Sequence, residues 1–310
     1  MQLFDVYLFV DWSSQNKMGS ERENKDAIWI GEHEPVKQYL REKYFRSRHE
    51  AATYLVKFLQ FIILEKKRCL IGFDFPYGYP KGLSHAMGFL EGKPWYNIWQ
   101  ELYKRIKDTP KNINNRFKVA NDLNAMVGGT SKGPFWGHPI NQSWPNLDKY
   151  KPDYPLISSK GIELKRLRVV EDRLRGTQEA WKLYGAGSVG SQALVGIPWV
   201  YYLRTHKELI KYSKVWPFET GFTQTPSFIE GPFILHAEIW PGVVQQETKV
   251  IMDRNPGIIK DKAQVRAMCQ WAANLDKNCG LGDYFDLPNG LTKVQVQDCL
   301  NEEGWILGTK

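Results

Sequence analysis

The sequence predicts an α/β fold: a mixed sheet flanked by helices, with a large helical and loop insertion. Three observations predict it. Short apolar runs bounded by polar turns occupy the first 75 residues, an amphipathic helix with its own capping signal separates the third run from the fourth, and a strand and a helix return late, at 233–239 and 261–276. With 310 residues, 42% hydrophobic and 25% charged, the chain is long enough to bury a core. The same composition excludes disorder, collagen and a coiled coil. The segments suit one domain over 1–310, its core about 1–80 and 232–285 and its insertion about 81–231.

The elements follow in order. Val6 to Val10 is an apolar run ending in Asp11, Ala27 to Ile30 is a second, and Val36 to Phe45 suits a third; the polar stretch Gly19 to Asp26 suits the loop between the first two. A helix then opens with Ser47 and Glu50 spaced as a capping box, and its apolar face is Ala51, Leu55, Phe58, Leu59 and Ile62. Lys66, Lys67 and Arg68 place cations at its C-terminal end. Cys69 to Phe75 reads as a buried strand closed by Pro76, Gly78 and Pro80. Three strands, a helix and a buried strand is the opening order of an RNase-H-like α/β fold, an order other α/β folds share. Beyond Pro80 the period breaks into short helices (Trp95 to Ile106, Asn115 to Met126) among Gly-, Pro- and Trp-rich loops. Ile162 to Arg175 reads as a helix with Leu164, Leu167, Val170 and Leu174 inward, and Phe233 to Ile239 and Asp261 to Asp276 complete the pattern.

The formal charge of +8 favours a polyanionic partner, although many basic proteins never meet nucleic acid. No stretch suits a membrane span, and Met1 to Val10 has neither a basic leader nor a small-residue cleavage site. Cys69, Cys269, Cys279 and Cys299 form no CxxC pair and suit reduced thiols, so the expected location is cytoplasmic and off the membrane.

Three apolar strands carry a carboxylate at or near their end: Leu8-Phe9-Val10 leads into Asp11, Leu70-Ile71-Gly72-Phe73 into Asp74, and Phe233-Ile-Leu-His-Ala237 into Glu238. An acid so placed costs several kcal/mol unless it is paired or metal-bound, and no nearby Arg in the sequence neutralises any of the three. In open α/β sheets the functional crevice lies at strand ends. The pattern therefore predicts a shared cation, against the competing reading in which each acid reaches water or a backbone N–H. Asp261 at the start of the last helix is either an N-cap or a fourth ligand. Hard oxygen donors point to Mg²⁺ or Mn²⁺, and no histidine sits in a zinc spacing.

Two further features invite phosphate. Gly185-Ala-Gly187-Ser188-Val-Gly190 matches GxGxxG, but its polar lead-in, and Pro198 cutting the Ser191 to Ile197 stretch that follows, argue against a dinucleotide fold and leave a backbone nest that includes Ser191. Lys165, Arg166, Arg168, Arg173 and Arg175 crowd one face of the helix expected at 162–175, as a phosphate-tracking surface or as a solvated helix face. Trp136 is a candidate for stacking on bases.

Val10-Asp-Trp-Ser13, Lys25-Asp-Ala-Ile-Trp-Ile-Gly31, Asp74-Phe-Pro-Tyr-Gly-Tyr-Pro80, Ala180 to Pro198, Trp216-Pro-Phe-Glu-Thr220, Ala237-Glu-Ile-Trp-Pro241 and Lys260-Asp-Lys-Ala-Gln-Val-Arg266 together resemble a family of predicted RNase-H-like nucleases, over about residues 4 to 285. The resemblance implies an RNase-H-like fold with an acidic site, more firmly than it implies a reaction. The expected activity is metal-dependent hydrolysis of phosphodiester bonds in DNA or RNA. Asp11, Asp74, Glu238 and Asp261 are expected to hold two Mg²⁺ or Mn²⁺ ions, Lys260 or Lys262 to offset transition-state charge, and Ser13, the Gly187–Ser191 loop and the basic face to contact substrate. The alternatives are a hydrolase or binding protein for a nucleotide or phosphorylated cofactor intermediate, and a non-catalytic interaction protein on the same fold.

Overall fold

A computed structural model of the chain describes residues 2–129, 131–226 and 230–310. A mixed seven-stranded sheet forms its centre. Val6–Asp11 (β1), Ile28–Glu34 (β2) and Tyr39–Phe45 (β3) form an antiparallel meander. Helix α1 (Arg48–Leu64) crosses to Arg68–Phe73 (β4), which lies parallel to β1. Ser47 caps α1 by accepting from the Glu50 N–H at 3.2 Å, while the Glu50 carboxylate reaches back to Arg46 N at 3.1 Å.

Leu83–Ala86 (α2), Pro94–Arg105 (α3) and Arg116–Val127 (α4) follow, then a small ribbon of Leu156–Ile157 (β5) with Glu163–Leu164 (β6). Val169–Arg173 (α5), Val189–Thr205 (α6) and Ser213–Val215 (β7) lead to Phe233–Ile239 (β8). Gln245–Arg254 (α7), Lys260–Lys277 (α8), Lys293–Asp298 (α9) and Ile306–Leu307 (β9) close the chain. The sheet order is β3-β2-β1-β4-β8-β7, with β9 also paired to β8 beyond the stretch that β7 covers. Strands β1, β4, β8, β7 and β9 are all parallel.

Strand alternation sorts the core into two layers. One holds Val6, Leu8, Val10, Ile71, Phe73 and Ile234 under α1, α3, α4 and α6; the other holds Tyr7, Phe9, Leu70, Leu235, Ala237 and Ile239 under α8. Helix α8 approaches the sheet so closely at Gly31 that a Cβ there would lie 2.7 Å from the Val265 carbonyl and 2.9 Å from Cys269 Sγ. Asp276, at the other end of α8, is fully buried and accepts from Leu3 N, Phe4 N and Tyr7 Oη, which anchors the N-terminal segment to the helix.

Three expectations need correction. Helix α6 does not stop at Pro198 but runs through it to Thr205. Burial of Ala193, Leu194, Val195, Ile197, Val200 and Leu203 in the first layer outweighs the lost hydrogen bond, a cost of about 3 kcal/mol. The expected helix at 162–175 is helical only over α5, because Glu163 and Leu164 pair with β5. The central sheet also draws β7 from within the segment expected to be insertion, and β9 from the C-terminal end, where no strand is expected.

Candidate acidic site

Asp11 ends β1, and Asp74 directly follows β4, its N–H bonded to the Val10 carbonyl at 3.2 Å. The pairing Val10 to Phe73 continues to set these two acids side by side on the α8 face. Asp261 joins them from the first turn of α8, where it accepts from Asp26 N at 2.8 Å. Ile259 is the N-cap of that helix, so Asp261 is not the cap.

The three carboxylates feel one another. Burial pushes the Asp11 carboxyl well above the usual carboxylate range, and the charges of Asp74, Asp261 and Asp26 push it further, against a lowering by Lys260. Asp74 is pushed up to about 7, chiefly by burial, although the Trp12 N–H donates to its Oδ1 at 2.7 Å. Asp261 is raised by burial and by Asp26.

Glu238 departs from the expectation of a converging trio. Its register partner is Phe73, one residue before Asp74, so it points through the opposite face of the sheet. There Arg168 donates Nη2 to Oε1 at 2.6 Å and Nη1 to Oε2 at 2.8 Å, and Tyr77 N donates to Oε2 at 2.8 Å. Arg168 also binds Glu171 at 2.7 Å, and all three side chains are buried. The sequence shows no neighbouring Arg to neutralise Glu238, and its partner arrives from 70 residues away.

That pairing also removes Arg168 from the expected phosphate-contacting face. Lys165, Arg166, Arg173 and Arg175 are exposed, but Arg166 is paired to Glu179 and Arg173 donates to the Asn289 carbonyl at 2.6 Å. Lys165 and Arg166 line a cavity of about 890 Å³ together with Glu163, Asp172, Asp298 and Glu303, so the surface is of mixed sign rather than a basic face.

The remaining expected contacts are mostly structural. Ser13 is buried and donates to the Asp26 carbonyl at 2.7 Å. Ser191 is buried, donating to the Leu183 carbonyl at 2.5 Å and accepting from Arg116 Nε at 2.9 Å. In the glycine loop, Gly187 has φ +70°, and a Cβ there would sit 2.4 Å from Gln178, while one on Gly190 would sit 2.3 Å from the Ala180 carbonyl. These glycines let α6 pack closely against the preceding chain. The N–H groups of Val189, Gly190 and Ser191 are already bonded internally, which leaves Ser188 half-exposed at the helix start without the expected nest. Lys262 pairs with Glu23 at 2.9 Å and lies over the Trp29 ring. Lys260 is exposed beside the acids. Trp136 is half-buried with its indole N–H enclosed, which fits packing rather than base stacking.

The residues that aim the site are not ones the sequence singles out. Arg48 is buried, holds Asp108 bidentately at 2.6 and 2.7 Å, and donates to the carbonyls of Ser13 at 2.8 Å and Gln15 at 3.0 Å. Gln192, in the first turn of α6, donates to the Trp12 carbonyl at 2.6 Å. Together they fix the loop that leaves Asp11. Asp26, whose backbone braces both Ser13 and Asp261, lies like Gln192 inside a segment that carries the family resemblance, but nothing local marks its role.

By donor chemistry, Asp11, Asp74 and Asp261 suit a hard cation, whereas Glu238 does not, since both its oxygens are already bonded. Among the described residues, no group of three or more His, Cys, Asp or Glu side chains is drawn tightly enough to hold a metal ion, so the three acids are neighbours rather than a closed ligand set. No helix among the described residues is long and apolar enough to cross a membrane. Compared with protein-family models, with curated proteins and with solved structures, the chain matches none.

Proposed function

We propose that the protein is a metal-dependent hydrolase of phosphodiester bonds in nucleic acid, built on an RNase-H-like core. One observation carries the reading: Asp11, Asp74 and Asp261 share one face at the C-terminal ends of parallel strands, each raised in pKa by burial and by the charge of other acids. The order β3-β2-β1-β4-β8, antiparallel through β1 and parallel beyond it, supports the architecture. The site proposed is narrower than the sequence suggests, since Glu238 is not in it.

In this reading Asp11, Asp74 and Asp261 would hold Mg²⁺ or Mn²⁺, which would supply charge neutralisation for the phosphate and a more acidic water. The chain's own groups do the rest. Lys260 lowers the local negative potential, Arg48 and Gln192 keep the Asp11 loop from relaxing, and the Asp26 N–H holds Asp261 in place. The net charge of +8 favours a polyanion over a neutral substrate.

Melting the protein with and without Mn²⁺ tests the proposal, together with metal-dependent cleavage of labelled DNA and RNA. A divalent ion that binds the folded state should raise Tm, and Asp11→Asn should abolish both that rise and the cleavage. If Mn²⁺ leaves Tm unchanged and no cleavage occurs, the metal-dependent reading falls and the non-catalytic interaction reading is supported.

A further inference from the structure

A second concavity lies away from the carboxylates. It has a volume of about 670 Å³ and opens between α1, the C-terminal end of α3 and the middle of α6. Small-molecule sites commonly fall in the range of about 300–1,000 Å³. One wall is aromatic, with Tyr103, Trp199 and Tyr202; Trp199 meets Tyr202 edge-on at 6.0 Å and the His49 ring edge-on at 4.7 Å. The other wall is the α1 ridge His49, Thr53 and Lys57, spaced one turn apart.

The cavity's charge is decided by Asp108 at its floor. That acid is already neutralised, with Arg48 on both oxygens and the Trp199 indole N–H donating to Oδ2 at 3.1 Å. His49 Nε2 is committed to the Asp108 carbonyl at 2.7 Å. Lys57, by contrast, has no ion-pair partner among the described residues. The ridge also borders an adjoining groove that carries Lys111 beside Glu50, whose carboxylate accepts from the Arg46 N–H. The space therefore combines flat aromatic surface with uncompensated positive charge, a pairing that suits a planar ring bearing an anionic group.

We propose that this cavity binds a free nucleoside monophosphate, its base against Trp199 and Tyr202 and its phosphate at Lys57. The site shares no residue with the carboxylate cluster and does not rest on the hydrolase reading. It is also wired to the loop after Asp11, since the Arg48 that neutralises Asp108 holds the Ser13 and Gln15 carbonyls. A ligand that presses on Trp199 and His49 presses on two of the three groups bonded to Asp108, the third being Arg48, so occupancy should tighten residues 12–17.

Titration calorimetry of the full chain with AMP, GMP, CMP and UMP, each beside its nucleoside and beside inorganic phosphate, tests this. At least one mononucleotide should bind, its nucleoside about tenfold more weakly and phosphate alone weakest, as expected for one charge-assisted contact. Lys57→Ala should weaken the nucleotide about tenfold and leave the nucleoside unchanged. Tyr202→Ala should weaken both, by roughly 5- to 100-fold for a lost stacking surface. Both positions are at least partly exposed, and unchanged melting would verify the fold. Amide exchange over 12–17 should slow when the site is saturated. The proposal is overturned if no mononucleotide binds more tightly than about 1 mM, or if both variants bind like the parent chain. Unchanged exchange over 12–17 with the site saturated would overturn the link to the Asp11 loop.

Discussion

Replacing Arg168 with Met would leave Glu238 and Glu171 buried with no countercharge, since the guanidinium bonds both oxygens of the first and one of the second. Removing one partner of a buried ion pair costs about 3–5 kcal/mol. For a chain of this length, an unfolding entropy of about 2.1 cal/mol/K per residue converts that into a fall in Tm of roughly 5–8 °C. Glu238→Gln should cost less, because Arg168 keeps Glu171 and the Glu303 carbonyl at 2.9 Å. Arg168→Met combined with Glu238→Met should recover only part of the loss, since it removes one stranded carboxylate but leaves Glu171 buried without its partner. Calorimetry of the single and double variants, with and without Mn²⁺, gives the coupling and the metal response in one series. The reasoning fails if Arg168→Met melts with the parent chain, or if Glu238→Gln keeps its Tm but loses the Mn²⁺ response, since Glu238 would then be a ligand rather than half of a structural pair.

Other perturbations probe different parts of the molecule. Asp74 has a folded pKa of about 7, above its unfolded value, so the folded state holds the extra proton between the two; the stability this group contributes is present at low pH and is lost as pH rises through 7. Asp74→Asn should therefore flatten the decline of Tm between about pH 4 and pH 7 and raise Tm at pH 8, and a steeper decline in the variant would contradict this. Gly31→Ala should destabilise by about 1–3 kcal/mol in urea unfolding, because a methyl group meets the Val265 carbonyl at 2.7 Å, and a neutral result would mean that α8 can lift away. Lys165→Ala with Arg175→Ala should leave nucleic-acid binding and its salt slope nearly unchanged in fluorescence anisotropy, since that surface is of mixed sign; a loss equal for all sequences, with a smaller salt slope, would show phosphate contacts there.

What was legible in the sequence is what short-range physics controls. The cap at Ser47, the apolar face of α1, the strand Phe233–Ile239 and helix α8 all show in spacing alone, because a strand repeats every two residues and a helix every 3.6. The positions of Asp11 and Asp74 at strand ends belong to the same class. Helix α6 marks the limit of local rules, since burial in the core carried it past a proline that propensity would have obeyed. By itself the sequence determined an α/β chain with acids at the ends of its apolar strands and a positive net charge. Tertiary structure alone decided which acids meet. Pairing β8 to β4 so that Glu238 lies beside Phe73 rather than Asp74 is a one-residue difference in register. Because successive side chains on a strand point to opposite faces, that single step carried Glu238 away from Asp11 and into the reach of Arg168.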